Sequence, residues 1–248
     1  MQKQQIRKGF SKLNKDQKVD LTASYFEHPE QAARDLKSFW HENKDIQQRL
    51  DEFAENTISN FFFPYGIAPN FVINGNMYLV PMVIEESSVV AAASNAAKFW
   101  SERGGFHAEV ISTTKIGQVH FNWKGDVEKL RAAMPDIRDK LISETESITK
   151  NMRERGGGIL DIELIDKSDE LEDYFQLKAS FETVDSMGAN FINSCLEEFG
   201  MQFKRFLKED ERFTGEEEEC EIVMAILSNY TPECLVKTWV ECDISEFE

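Results

Sequence analysis

The chain has 248 residues, with 28 Lys+Arg against 45 Asp+Glu, a formal net charge of −17 and a pI near 4.7. That balance argues against a nucleic-acid or anionic-membrane binder, since both need a positive footprint, but leaves room for a local basic pocket. A hydrophobic fraction of 41%, with 19 Phe, excludes a mostly disordered chain, and the length suits one large domain or two ordinary ones.

The first residues, Met1 to Lys8, carry no apolar core of a secretory signal, and no apolar run approaches the roughly 18 residues of a membrane span, so a cytoplasmic protein is expected. Residues 14–58 carry apolar residues at helical period, with Pro29 marking a break and a new helix start. Phe71-Val72-Ile73 and Met77-Tyr78-Leu79-Val80 flank Asn74-Gly75, a strong hairpin signal. The Ala-rich run from Val89 to Lys98 predicts a helix, capped at its start by Ser87 or Ser88 and ended by Gly104-Gly105.

Residues 107–123 read as strand, and 126–153 as one long amphipathic helix kinked near Pro135. Gly156-Gly157-Gly158 is a hinge or turn. Residues 159–165 and 174–184 alternate like strands across an acidic turn at 167–172. Asp185 opens a helix reaching about Leu207, Glu216–Glu219 reads as a solvated loop, and 221–227 as a last strand. The order strand–helix–strand–strand–helix–strand fits a ferredoxin-like split βαβ unit across about 107–228.

Cys195, Cys220, Cys234 and Cys242 form no C-x-x-C pair, and His28, His41, His107 and His120 show no ligand spacing, so no metal is expected. The cysteines read as reduced, mostly buried thiols.

Three segments can carry chemistry. Glu85-Glu86, at a strand end before the Ala-rich helix, is either an acid tuned by partial burial to donate a proton or a turn complementing the helix dipole. Asp185-Ser186-Met187-Gly188-Ala189-Asn190 is either a phosphate-binding helix start or a capped, tightly packed helix; it is not G-x-G-x-x-G. Ser228-Asn229 ends a strand and lines a cleft or forms a plain β-turn.

Together these segments resemble the class II, bacterial-type 3-hydroxy-3-methylglutaryl-CoA reductase family. The resemblance is carried by Glu55-Asn56-Thr57-Ile58-Ser59, by Pro64–Gly75, by Leu79–Ser94 through the Glu pair, and by Gly104–Phe106. It continues in Gly156–Gly158, Asp185–Asn193 and Ile226-Leu227-Ser228-Asn229, in order across nearly the whole chain. It implies an α+β fold: a helical large domain in 1–106, an inserted ferredoxin-like small cofactor-binding domain in 107–222, and a return to the large domain in 223–248. It implies reduction of HMG-CoA to mevalonate and CoA with two NADPH or NADH, and a homodimer whose active sites lie at its interface.

By the same resemblance Glu86 is the catalytic acid, and Ser228, Asn229 and Asn56 line the substrate. Asp185, Met187, Gly188, Ala189, Asn190 and Asn193 match the cofactor segment, and Lys12 or Arg7 would meet the CoA phosphates. Where NADH-preferring members carry an Asp on the ribose 2′-hydroxyl, this chain has Thr149, followed by Lys150 and Arg153, which suits a 2′-phosphate and leans to NADPH. Departures from the family pattern are Thr57, Ser59, Ser87 and Ser186. The family's T-H-N-K-G lysine, its Asp and its C-terminal His find no match in these residues, so weak or no turnover by this chain alone is expected. The competing reading is a non-catalytic nucleotide- or CoA-binding or interaction protein derived from a truncated reductase.

Overall fold

The protein's structure, a computed structural model, describes residues 9–247. Helix and sheet are mixed. The chain divides into two compact units, the first of residues up to Gly105 together with those from Cys242, the second spanning Phe106–Glu241.

In the first unit the expected helical stretch is three short helices, α1 (Lys15–Ala23), α2 (Pro29–Ser38) and α3 (Lys44–Asp51). Each start has a local cause. Asn14 accepts from the Gln17 N–H and Gln17 answers in a reciprocal capping box, Pro29 occupies the first turn of α2, and Asn43 accepts from the N–H groups of Asp45 and Ile46. The hairpin forms as read: β1 (Tyr65–Ile73) pairs antiparallel with β2 (Asn76–Val83) around Asn74-Gly75, both at positive φ. Helix α4 (Val89–Ser101) follows, and it packs on β1. Its start departs from expectation: Ser88 occupies the cap position at φ 71 and makes no side-chain bond. Gly105 at the far end lies against Val72, where a Cβ would meet the Val72 carbonyl oxygen at 2.5 Å.

The second unit is built on a four-stranded sheet, β4 (Lys115–Trp123), β5 (Gly158–Asp166), β6 (Tyr174–Glu182) and β7 (Cys220–Leu227), in the order β5-β6-β4-β7 with every pair antiparallel. Strand alternation turns Val119, Phe121 and Trp123 of β4, with Phe175, Leu177, Ala179 and Phe181 of β6, into the core. Helix α5 (Val127–Glu144) covers that face with Leu130, Ala133, Ile137 and Leu141. Helix α7 (Ala189–Glu209) adds Ile192, Leu196, Phe199, Phe203 and Leu207, spaced three or four apart as one helical face requires.

Four expectations change here. The 107–123 stretch is two strands: β3 (His107–Thr113) leaves the four-stranded sheet and pairs with β8 (Cys234–Trp239). The break falls at Thr114, whose N–H is taken by the Ser112 hydroxyl. The long helix breaks at Thr145 rather than at Pro135, giving α5 and α6 (Glu146–Arg153). The buried Thr145 hydroxyl bonds back to the carbonyls of Leu141 and Ile142, competing with the helical ladder, while Pro135 is carried inside α5. Glu216–Glu219 is not simply solvated. It contains a 3-10 turn in which the Glu217 carboxylate pairs with Lys129 at 2.7 Å, its carbonyl accepts from the Trp123 indole, and Lys129 holds the carboxyl below its usual range. The second unit also runs on past residue 222, because β7 completes the sheet and β8 pairs with β3.

Of the cysteines only Cys195 is buried, its thiol pushed up to about 12 by desolvation, whereas Cys234 is exposed. No described helix is long and apolar enough to cross a membrane.

Candidate functional site

Because the four strands are antiparallel, one end of the sheet gathers segments far apart in sequence. There Gly158 pairs with Glu182, Lys115 with Phe181, and Gly117 with Leu227. That end therefore collects the close of α6, the glycine triplet, the turn after β6, the start of α7 and the residues after β7. Most of the positions singled out from sequence in the second unit converge here.

The turn after β6 is tightly specified. The buried Thr183 hydroxyl donates to the Ser186 carbonyl at 2.7 Å, and the Ser186 hydroxyl donates back to the Thr183 carbonyl at 2.8 Å. Gly188, at φ 74, occupies the cap position of α7 and its carbonyl accepts from Ile192. Asp185 does not cap the helix, contrary to expectation. It is exposed, as are Met187 and Asn190, so the turn offers a charge, a thioether and an amide to solvent beside the first N–H groups of α7.

Gly188 is required twice over. A Cβ there would sit 2.4 Å from Thr183 Cγ2, at a φ that L side chains avoid. Gly188→Ala is expected to cost about 1–3 kcal/mol in denaturant unfolding. Gly156→Ala is the control, because φ is 91 but nothing lies within 4 Å; it is expected to cost about 1 kcal/mol.

Asn193 has a structural bond. Its Oδ1 accepts from the Leu227 N–H at 2.8 Å and so ties the first turn of α7 to the end of β7. The next residue, Ser228, donates its N–H to the Ile116 carbonyl, and its hydroxyl is engaged with the backbone of Tyr230. Asn229 beside it is exposed. Thr149 is buried, with its hydroxyl turned to the carbonyls of Thr145 and Glu146, so it offers nothing outward. Lys150 and Arg153, on the last turn of α6, and Arg155, just before the glycine triplet, are exposed cations at this end.

In the first unit Glu86 lies in the turn between β2 and α4. Glu85 and Glu86 are both exposed, so the partial burial considered from sequence is not found within this unit. Asn56 sits in a turn at φ 59, a conformation Asn tolerates, and is exposed. Lys12 is exposed, and Arg7 lies outside the described residues. No group of three or more His, Cys, Asp or Glu able to hold a metal ion occurs among the described residues.

Sequence reasoning missed Glu182, whose carboxylate accepts from the Val184 N–H at 2.7 Å and from the Thr113 hydroxyl. The signal for it was weak: an acid at a strand end, two residues before a β-branched residue in a turn.

Residues 19–248 match the family model described as hydroxymethylglutaryl-coenzyme A reductase. A 3-hydroxy-3-methylglutaryl-coenzyme A reductase of Archaeoglobus fulgidus is 35% identical over 147 residues, 59% of this chain and 34% of that protein. A probable 3-hydroxy-3-methylglutaryl-coenzyme A reductase of Borreliella burgdorferi is 34% identical over 161 residues, 65% of this chain and 36% of that protein. Among solved structures, the class II reductase of Streptococcus pneumoniae bound to NADPH in open conformations aligns with a TM-score of 0.66 at 29% identity, covering 93% of this chain and 58% of that one. This chain thus spans about a third of the curated relatives and rather more than half of the solved relative.

Proposed function

The chain belongs to the hydroxymethylglutaryl-coenzyme A reductase family, and from that premise we propose that it serves the reduction of HMG-CoA to mevalonate and CoA, with the second unit holding the nicotinamide cofactor. The observation that carries this reading is the convergence at one sheet end of the Asp185–Asn193 turn, the glycine triplet and Ser228-Asn229. The strand order and directions support a ferredoxin-like cofactor domain inserted in a large domain.

On this reading the α7 start and its turn receive the cofactor's pyrophosphate, where N–H groups and the helix dipole favour an anion. When bound, the cofactor supplies hydride. Asp185, Met187, Gly188, Ala189 and Asn190 shape that site, and Asn193 holds it against the end of β7. Each by its own match to the family pattern, Ser228, Asn229 and Asn56 are substrate-lining residues, and Glu86 is the group that supplies a proton to the carbonyl being reduced. The protein acts in the cytoplasm as a homodimer, for which the exposed apolar side chains Phe61, Met77 and Leu79 of the first unit are available surface.

Thr149 turns its hydroxyl inward, so the choice between cofactors falls to the exposed cations, and the reading favours NADPH through Lys150. Lys150→Asp is expected to move the NADPH-to-NADH affinity ratio by about 10–100-fold toward NADH. An unchanged ratio would remove Lys150 from the site.

These residues match one member, Glu86, of the family's four acid–base groups. Turnover of HMG-CoA, followed at the nicotinamide absorbance band, is therefore expected to be at least about 100-fold slower for this chain than after addition of a polypeptide carrying the lysine, aspartate and histidine. Full activity without that addition would overturn the assignment of roles. Cofactor or CoA binding with no turnover even after addition would favour the non-catalytic reading.

A further inference from the structure

We propose that Glu182 is a positioning residue for the cofactor: its carboxylate holds Val184 at positive φ and thereby fixes the Thr183–Gly188 turn in its binding shape. The inference rests on the reading of that turn as the nicotinamide-binding segment.

Val184 has φ 54. A β-branched residue is a genuine outlier there and persists only where its surroundings over-determine it. What over-determines it is visible. Glu182 Oε1 accepts from the Val184 N–H at 2.7 Å, while Oε2 accepts from the Thr113 hydroxyl at the end of β3. The Glu182 backbone is itself fixed, being paired with Gly158 in the β5–β6 ladder. One carboxylate therefore braces the turn against two strands. The bond from Thr113 is the first cause holding the Glu182 carboxyl below its usual range, so the bracing form is the ionised one.

Beyond Val184 the consequences run directly into the site. The Thr183–Ser186 bond pair and the close fit of Gly188 against Thr183 set the direction from which α7 starts. If Val184 relaxes to the extended region, the chain leaves β6 in another direction and that start loses its alignment.

Removal of the brace and relief of the strain give opposite expectations. Binding of NADPH and NADH is measured by titration on this chain, with melting and circular dichroism as folding controls. Glu182→Ala is expected to weaken both cofactors by about 5–150-fold without changing their ratio. Adding Val184→Gly, which reaches positive φ without a brace, is expected to restore most of that affinity. Glu182→Gln keeps an acceptor for the Val184 N–H and is expected to retain affinity. Should Glu182→Ala fail to fold, Glu182→Met fills the volume without an acceptor and takes its place.

Undiminished affinity in Glu182→Ala, or no rescue by Val184→Gly, overturns the proposal. Hydrogen exchange of the 183–188 amides separates it from the reading on which it rests. If wild type binds neither cofactor, that reading fails. The brace is then judged by exchange alone: faster exchange in Glu182→Ala supports it, and unchanged exchange overturns it.

Discussion

In a reductase that combines these 248 residues with the lysine, aspartate and histidine of its family, Glu86→Gln is expected to lower turnover by about 100–10,000-fold. The substitution keeps shape and, on the proposed reading, removes the proton that the reduced carbonyl must receive. Glu86 is exposed in the turn between β2 and α4, so nothing in the packing of the first unit depends on it, and the melting temperature is expected to stay put. Because the proposed cofactor segment is in the second unit, the KM for the nicotinamide is also expected to hold, while kcat falls. Turnover within a few-fold of wild type would refute Glu86 as the acid.

Phe121→Ala is expected to cost the second unit about 3–5 kcal/mol, a large share of a typical domain's stability. Phe121 is fully buried on the inner strand β4, with ring centroids 4.7 Å from Phe203 of α7 and 5.8 Å from Phe175 of β6. Its loss opens a cavity that the flanking rings cannot close without leaving their own neighbours. Urea unfolding should show the midpoint fall with an unchanged slope. Cofactor affinity in the remaining folded fraction should be little altered, because Phe121 lies near the end of β4, opposite the sheet end that carries the candidate site, and that end is held by separate bonds. A loss below about 1 kcal/mol would mean that the core repacks, and that this sheet does not rest on its aromatic layer.

Much of the fold was legible because local signals and burial agree. Asn74-Gly75 gave the hairpin, the three- and four-residue spacing of Ile192, Leu196, Phe199, Phe203 and Leu207 gave α7, and alternation gave β5 and β6. What sequence reading got wrong lies where a hydroxyl redirects the backbone. Ser112 and Thr145 each bond nearby backbone groups and end an element that periodicity alone would continue. Strand β8 was overlooked, although Leu235, Val236 and Trp239 carry a β signal, because it has no buried face to give it a period. Residue type points to Ser87 or Ser88, and to Asp185, as caps. The structure puts Ser88 and Gly188 at the cap positions with positive φ and no side-chain bond, a backbone geometry that composition does not announce.

Of the candidate site, the segments were readable and their convergence was not. Nothing in the linear spacing says that Asn193 reaches Leu227, or that Thr149 turns its hydroxyl inward. Glu182 was invisible for the same reason, since its role depends on the φ of Val184 and on the end of β3.

The most direct measurement is a titration of this chain, shown to be folded, with NADPH and then with NADH, read by quenching of intrinsic fluorescence or by calorimetry. Saturable binding that is tighter for NADPH and weakened by Gly188→Ala is the predicted result. Absence of binding by either nucleotide to the folded chain would contradict the assignment of the sheet end around Asp185–Asn193 as the cofactor site.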